Sequence, residues 1–166
     1  MRKTVLASLA VSAAILLGAA AQAQAPAGPP MYGTPGINLE QAQKAIAAAA
    51  AEAKKNNWYM AIAISSNGGH LVAFSRMDGT QFASINIAIH KAKAAATFRR
   101  PTKAFADAVA AAPGNVALLT LDGIIASEGG IPITNAEGKI IGAIGCSGAT
   151  GAQDGQACAA GVAALK

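Results

Sequence analysis

Large side chains are scarce in this chain. Its 166 residues hold four Phe, two Tyr and one Trp, against an abundance of alanine that implies close helix packing. Titratable groups are few as well. The histidines are His70 and His90, and the acids are Glu40, Glu52, Asp78, Asp107, Asp122, Glu128, Glu137 and Asp154. No H-x-H, H-E-x-x-H or clustered carboxylate pair occurs, which argues against a structural metal site. A Ser-His-Asp triad is hard to assemble from so small a set. The G-x-S-x-G pattern of a nucleophile elbow is absent. Gly145-Cys146-Ser147-Gly148 is only superficially like it, and Ser147 reads first as a turn residue. So sparse an acid/base set speaks against demanding catalysis and for a protein that is not an enzyme.

Cysteine is limited to Cys146 and Cys158, whose spacing fits no zinc pattern. Two readings stay open. In an oxidising compartment they could form a disulfide. They could equally be two buried free thiols, since Cys146 sits in an apolar strand-like run and Cys158 in an Ala-rich helix.

What is present begins with an export signal. Arg2 and Lys3 give a basic start, and Val5 to Ala20 form an apolar run interrupted only by Ser8, Ser12 and Gly18. Ala21-Gln22-Ala23 and Ala23-Gln24-Ala25 both fit the A-x-A cleavage pattern. The run is short for a membrane span, which needs about 20 apolar residues. No Cys follows it, so a lipoprotein anchor is not indicated. Residues 1–25 are therefore predicted to be a signal peptide cut near Ala23 or Ala25, leaving a periplasmic or secreted protein with no membrane span. Cleavage after Ala25 leaves 141 of the 166 residues, the size of one domain. It also removes two of the 13 basic residues, so the net charge falls from +5 to +3. Lys91, Lys93, Arg99, Arg100 and Lys103 cluster, but without interleaved aromatics. A solvated basic helix face accounts for them, and nucleic acid is not an expected partner.

Residues 26–37 are rich in Pro and Gly and read as a flexible leader; residues 38–166 form the domain. Asn38 with Gln41 makes a capping box for a helix from Leu39 to about Lys55. Trp58 to Ser65 and His70 to Met77 read as two strands joined by the turn Ser66-Asn67-Gly68-Gly69. Ser84 to Arg100 is a helix ended by Pro101, and Thr102 to Ala111 is a shorter one. Val116 to Leu121 reads as a short strand or extended segment. Gly129 to Thr134 is a strand whose Pro132 suggests an edge, Lys139 to Ser147 is an apolar strand, and Asp154 is taken to cap a last helix to Leu165. Strand pairs joined by tight turns predict an α+β domain with a mostly antiparallel sheet covered by helices.

Four segments in this order carry a resemblance. They are Asn67-Gly68-Gly69-His70-Leu71-Val72-Ala73-Phe74-Ser75-Arg76-Met77-Asp78-Gly79, then Lys91-Ala92-Lys93-Ala94-Ala95, then Gly129-Gly130-Ile131-Pro132-Ile133, then Ile141-Gly142-Ala143-Ile144-Gly145-Cys146-Ser147-Gly148 with Asp154 downstream. The series resembles the GlcG/HbpS family, which includes the C-terminal domain of PduO-type proteins, from about Leu39 to Leu165. The resemblance implies a roughly five-stranded antiparallel sheet flanked by helices, like profilin or PAS domains. It also implies homo-oligomers from dimer to octamer. Some exported members bind haem, one is the accessory partner of a two-component sensor, and others bind a tetrapyrrole relative. Two departures stand out: Cys146 replaces the usual Val of its strand, and His90 precedes Lys91 where many relatives carry another residue.

The function implied is an exported haem- or tetrapyrrole-binding protein for uptake, sequestration or sensing. An enzyme or auxiliary acting on a small carboxylate or aromatic metabolite is a second reading, and an oligomeric interaction module a third. Haem iron needs an axial ligand in an apolar slot. His90, among Ile85, Ile87 and Ile89, either faces such a pocket or lies on the polar side of its helix near Asn86 and Lys93. His70, at the hairpin exit, is the other axial candidate. Arg76 and Lys93 could each hold a carboxylate or make a structural pair. Met77 reads as core before ligand. Gly130 and the loop at Ser147 could offer amides to an anion, or simply meet tight backbone geometry.

Overall fold

The computed structural model describes residues 36–166, so the predicted signal peptide and most of the expected leader lie outside the described residues. The elements in order are α1 (Leu39–Lys55), β1 (Ala61–Ser66), β2 (Leu71–Arg76), α2 (Ala83–Thr97), α3 (Lys103–Ala111), a 3₁₀ helix (Pro113–Thr120), β3 (Gly130–Thr134), β4 (Ile140–Ser147) and α4 (Gly151–Ala163). The strands form one antiparallel sheet in the order β2-β1-β4-β3. The α+β class is as expected, with four strands where roughly five were anticipated. Pro132 does lie on an edge strand, where its missing N–H costs no ladder bond.

Alternation along the strands divides two layers of helix. Met60, Ile62, Ile64, Ile133, Ile144 and Cys146 face the alanines of α1 and Ala157 and Cys158 of α4. Ala61 and Ala63 point to the other side, against Ala88 and Ala92 of α2. Small residues on both partners let α2 sit unusually close. A Cβ at Gly145 of β4 would collide with the Ala88 carbonyl oxygen and lie 2.5 Å from the Ala92 nitrogen. Glycine is thus required there by the approach of the helix.

Local signals explain most boundaries. The Asn38–Gln41 capping box forms, with Gln41 N–H donating to Asn38 Oδ1 at 2.8 Å and Asn38 N–H to Gln41 Oε1 at 3.1 Å. Four readings need correction. The first strand begins at Ala61, not Trp58. The second helix ends at Thr97, before Arg99 turns left-handed at φ 55°. The Val116–Leu121 run lies in and just after the 3₁₀ helix, not in a strand. That helix opens with Pro113 and buries none of its residues, so its apolar side chains join no sheet. The last helix is capped by Thr150 and Gln153, leaving Asp154 free for another partner. The question left open for the cysteines resolves to a Cys146–Cys158 disulfide with Cα atoms 5.8 Å apart, tying β4 to α4.

Candidate functional site

The helix α2 organises the chemistry. Its buried row (Ser84, Ala88, Ala92, Ala95) rests on the sheet. Helical spacing then places Ile85, Ile89 and Lys93 on one flank and Ile87, Lys91 and Ala94 on the other, with His90 on the side of Ile87 and Ala94.

On the second flank Lys91 is buried. Its Nζ lies 2.8 Å from Asp154 Oδ2, with the two side chains 2% and 3% exposed. It also donates to the Cys146 carbonyl at 3.2 Å. Asp154 Oδ1 accepts from the Ala149 N–H at 3.0 Å. Burial holds the Asp154 carboxyl above the usual carboxylate range, opposed by the hydrogen bond and charge of Lys91 and by the N–H groups of Ala149 and Gly148. Gly129, at φ 121°, closes over the pair: a Cβ there would lie 3.0 Å from Lys91 Nζ and 2.8 Å from Asp154 Cβ. Charges so enclosed and mutually satisfied clamp α2, β4 and α4 together. Thr102 adds a second buried staple, donating to the Ser127 carbonyl at 2.6 Å and accepting from the Gly130 N–H at 2.9 Å.

The first flank is open. Cross-strand partners share a face of the sheet, and the pairs Ala61–Arg76 and Ala63–Phe74 put Arg76 and Phe74 on the α2 side. The helix lies mainly over β1 and β4, leaving that side of β2 uncovered. Phe82, at the start of α2, is 80% exposed, and the Arg76 guanidinium sits 5.3 Å from its ring centroid. At the other end Lys93 and Thr97 abut the β1–β2 turn: a Cβ at Gly69 would lie 3.2 Å from Lys93 Cγ and 2.7 Å from Thr97 Cγ2. Exposed His70 emerges from that turn. Arg76 and Lys93 therefore border opposite ends of one face with an aromatic floor, while the His70 ring stands at the turn beside Gly68.

The other expected site residues lie elsewhere. His90 is half-buried on the far flank of α2. Met77 packs against the α1-side core, as a core methionine would. Ser147 is the last residue of β4, not a turn residue, and is buried with its Oγ donating to Ser84 Oγ at 3.2 Å. Gly130 is buried where a Cβ would lie 2.5 Å from the Lys91 carbonyl oxygen, so packing against α2 requires glycine there. Gly130 also lines a cavity of about 370 Å³ between β3, the start of α3 and α4, beside Lys103, Glu128, Ile131 and Gln156. Sequence reasoning missed the Lys91–Asp154 pair and Thr102. The one signal for the pair was that both residues fall in the segments that carry the family resemblance.

Among the described residues no group of three His, Cys, Asp or Glu could hold a metal ion, and no helix is long and apolar enough to cross a membrane. These features define a small α+β sheet domain whose buried polar groups serve packing. The chain belongs to the HbpS-like family: the family model described as "Haem degrading protein HbpS-like" matches residues 37–163. Escherichia coli GlcG is 43% identical over 111 residues, covering 67% of this chain and 81% of that protein. The crystal structure of a double mutant of Streptomyces reticuli HbpS superposes with a TM-score of 0.73 at 31% identity, over 87% of this chain and 99% of that one. A PduOC complex with haem shares the fold alone, at 21% identity and a TM-score of 0.71, over 79% of this chain and 96% of that one.

Proposed function

We propose that this protein binds haem or a closely related planar tetrapyrrole outside the cytoplasm, on the open face between β2 and α2. The observation that carries the reading is that exposed Phe74 and Phe82 share one face with Arg76 at one end and Lys93 at the other. A tetrapyrrole presents a flat apolar ring and carboxylate side chains. The aromatic floor suits the ring, and Arg76 and Lys93 suit the carboxylates. Of the candidate iron ligands, His70 follows the turn that abuts Lys93 and is exposed, whereas His90 lies on the far flank of α2 and Met77 packs in the core. Bound haem would supply the redox and ligand-binding chemistry of its iron, and the chain would hold and orient it. The description of the family and the haem complex of a fold relative support the ligand class.

Export rests on residues 1–25, with cleavage near Ala23 or Ala25 delivering the protein to the periplasm or the medium. There it would serve haem uptake, sequestration or sensing. Self-association from dimer to octamer, and docking to a sensor protein, are supported by the exposed Val116, Leu119 and Leu121, which are 57%, 48% and 50% accessible.

Titrating the processed protein with hemin tests the reading. A saturable Soret shift is expected, lost in His70→Ala and kept in His90→Ala. No shift, together with thermal stabilisation by small organic acids, would replace it with the small-carboxylate reading. Loss in His90→Ala alone would move the ligand to the other flank of α2.

A further inference from the structure

The cavity between β3, the start of α3 and α4 is separate from the face proposed for the tetrapyrrole. Its walls are apolar at Ile131, Ala152 and Ala159 and polar at Lys103, Glu128 and Gln156. The charges there are unequally used. Lys103 Nζ lies 2.6 and 2.8 Å from the two oxygens of Asp107, and its charge also acts on Glu128, so one cation serves two carboxylates. Gln156 donates to Glu52 Oε1 at 2.6 Å, which leaves its own carbonyl oxygen as an acceptor. The salt bridges among the described residues are Lys91–Asp154 and Lys103–Asp107, and neither uses Glu128. The Glu128 carboxylate is half-buried and held across the first turns of α4: its Oε1 lies 2.7 Å from where a Cβ of Gly155 would stand.

Counting charge decides the kind of ligand. Lys103 stands against both Asp107 and Glu128, Lys91 cancels Asp154, and one negative charge remains. The N-terminus of α4 offers about half a positive charge, which does not neutralise a full carboxylate. A carboxylate ligand would add a third negative charge to a site where Lys103 already faces two. An ammonium would meet a carboxylate and an amide oxygen.

We propose that this cavity is a second binding site, for a primary ammonium carrying a short apolar body, with Glu128 as its counter-ion. The ammonium sits between Glu128 and the Gln156 carbonyl oxygen, and the apolar body lies along Ile131, Ala152 and Ala159. The volume of about 370 Å³ limits the ligand to a small amine.

The test is an amide NMR titration of the processed protein with n-butylammonium, and in parallel with n-butyrate. With so few heavy atoms the expected affinity is around 1 mM. Saturable shifts at Ala152, Gly155 and Ala159 are expected with the amine, at least about tenfold weaker in Glu128→Gln, which keeps the shape and removes the charge. Gly155→Ala keeps every charge but displaces the carboxylate, and should weaken binding as well. Equal response to butyrate, unchanged amine binding in Glu128→Gln, or no saturable shift would overturn the proposal. None of these outcomes depends on hemin, so failure here and failure of the tetrapyrrole reading are separately visible.

Discussion

Lys91 and Lys93 stand two residues apart on one helix and do opposite work. Lys91 is sealed under Gly129 and neutralised by Asp154. Lys93 stays in solvent beside the β1–β2 turn, with Arg76 at the far end of the same face. The difference follows from rotation about α2: two positions move a side chain by roughly 200°, from the α4 side to the β2 side. One flank holds the fold together and the other stays open to solvent. A single helix therefore couples the rigid centre of the domain to its open face.

The sharpest way to break this contrast is to remove the buried cation. Lys91→Met leaves the Asp154 carboxylate unpaired in the interior and should cost about 3–5 kcal/mol at pH 7 by chemical denaturation. Replacing both partners with apolar residues should cost clearly less than the single change. Lys93→Met should stay within about 0.5 kcal/mol, as exposed substitutions usually do.

The disulfide comes next. Cys158→Ser opens a link spanning 12 residues and should lower stability by about 3 kcal/mol, read as a fall in denaturation midpoint. On the open flank, Arg76→Ala and Lys93→Ala should each weaken hemin binding by roughly fivefold, about 1 kcal/mol, with little change in melting temperature. Equal losses of stability on both flanks would erase the distinction.

The smallest effect is in pH. The folded-state pKa of Asp154 is raised, so the folded protein takes up this proton before the unfolded chain does. The cost of ionised Asp154 is full above its folded pKa and falls away as pH drops toward 3.8. Removing Lys91 raises that pKa further. The stability deficit of Lys91→Met should therefore shrink as pH falls from 7 toward 4, and a deficit that grew on acidification would contradict the assignment.

Much of the fold was legible because its signals are local. Asn38 with Gln41, the Gly68-Gly69 turn and Pro132 on an edge each dictate structure within a few residues. The run Val116-Ala117-Leu118-Leu119 misled because apolar content alone does not separate a strand from an exposed turn of 3₁₀ helix without a sheet edge to join. Of the site, Arg76 and Lys93 were legible as residue types but not as two ends of one face, since that depends on how α2 crosses β2. The Lys91–Asp154 pair was illegible for a related reason. A lysine in a basic cluster reads as solvated, and an acid near a helix start reads as a cap. Only contact across 63 residues of sequence makes them a pair.

The division between the flanks is tested most directly by amide NMR of the processed protein with and without hemin. Broadening should concentrate at Leu71, Phe74, Phe82 and Lys93, with Lys91, Gly129 and Asp154 undisturbed. Broadening centred on His90 or on Gly129 and Gly130, with the β2 face silent, would contradict it.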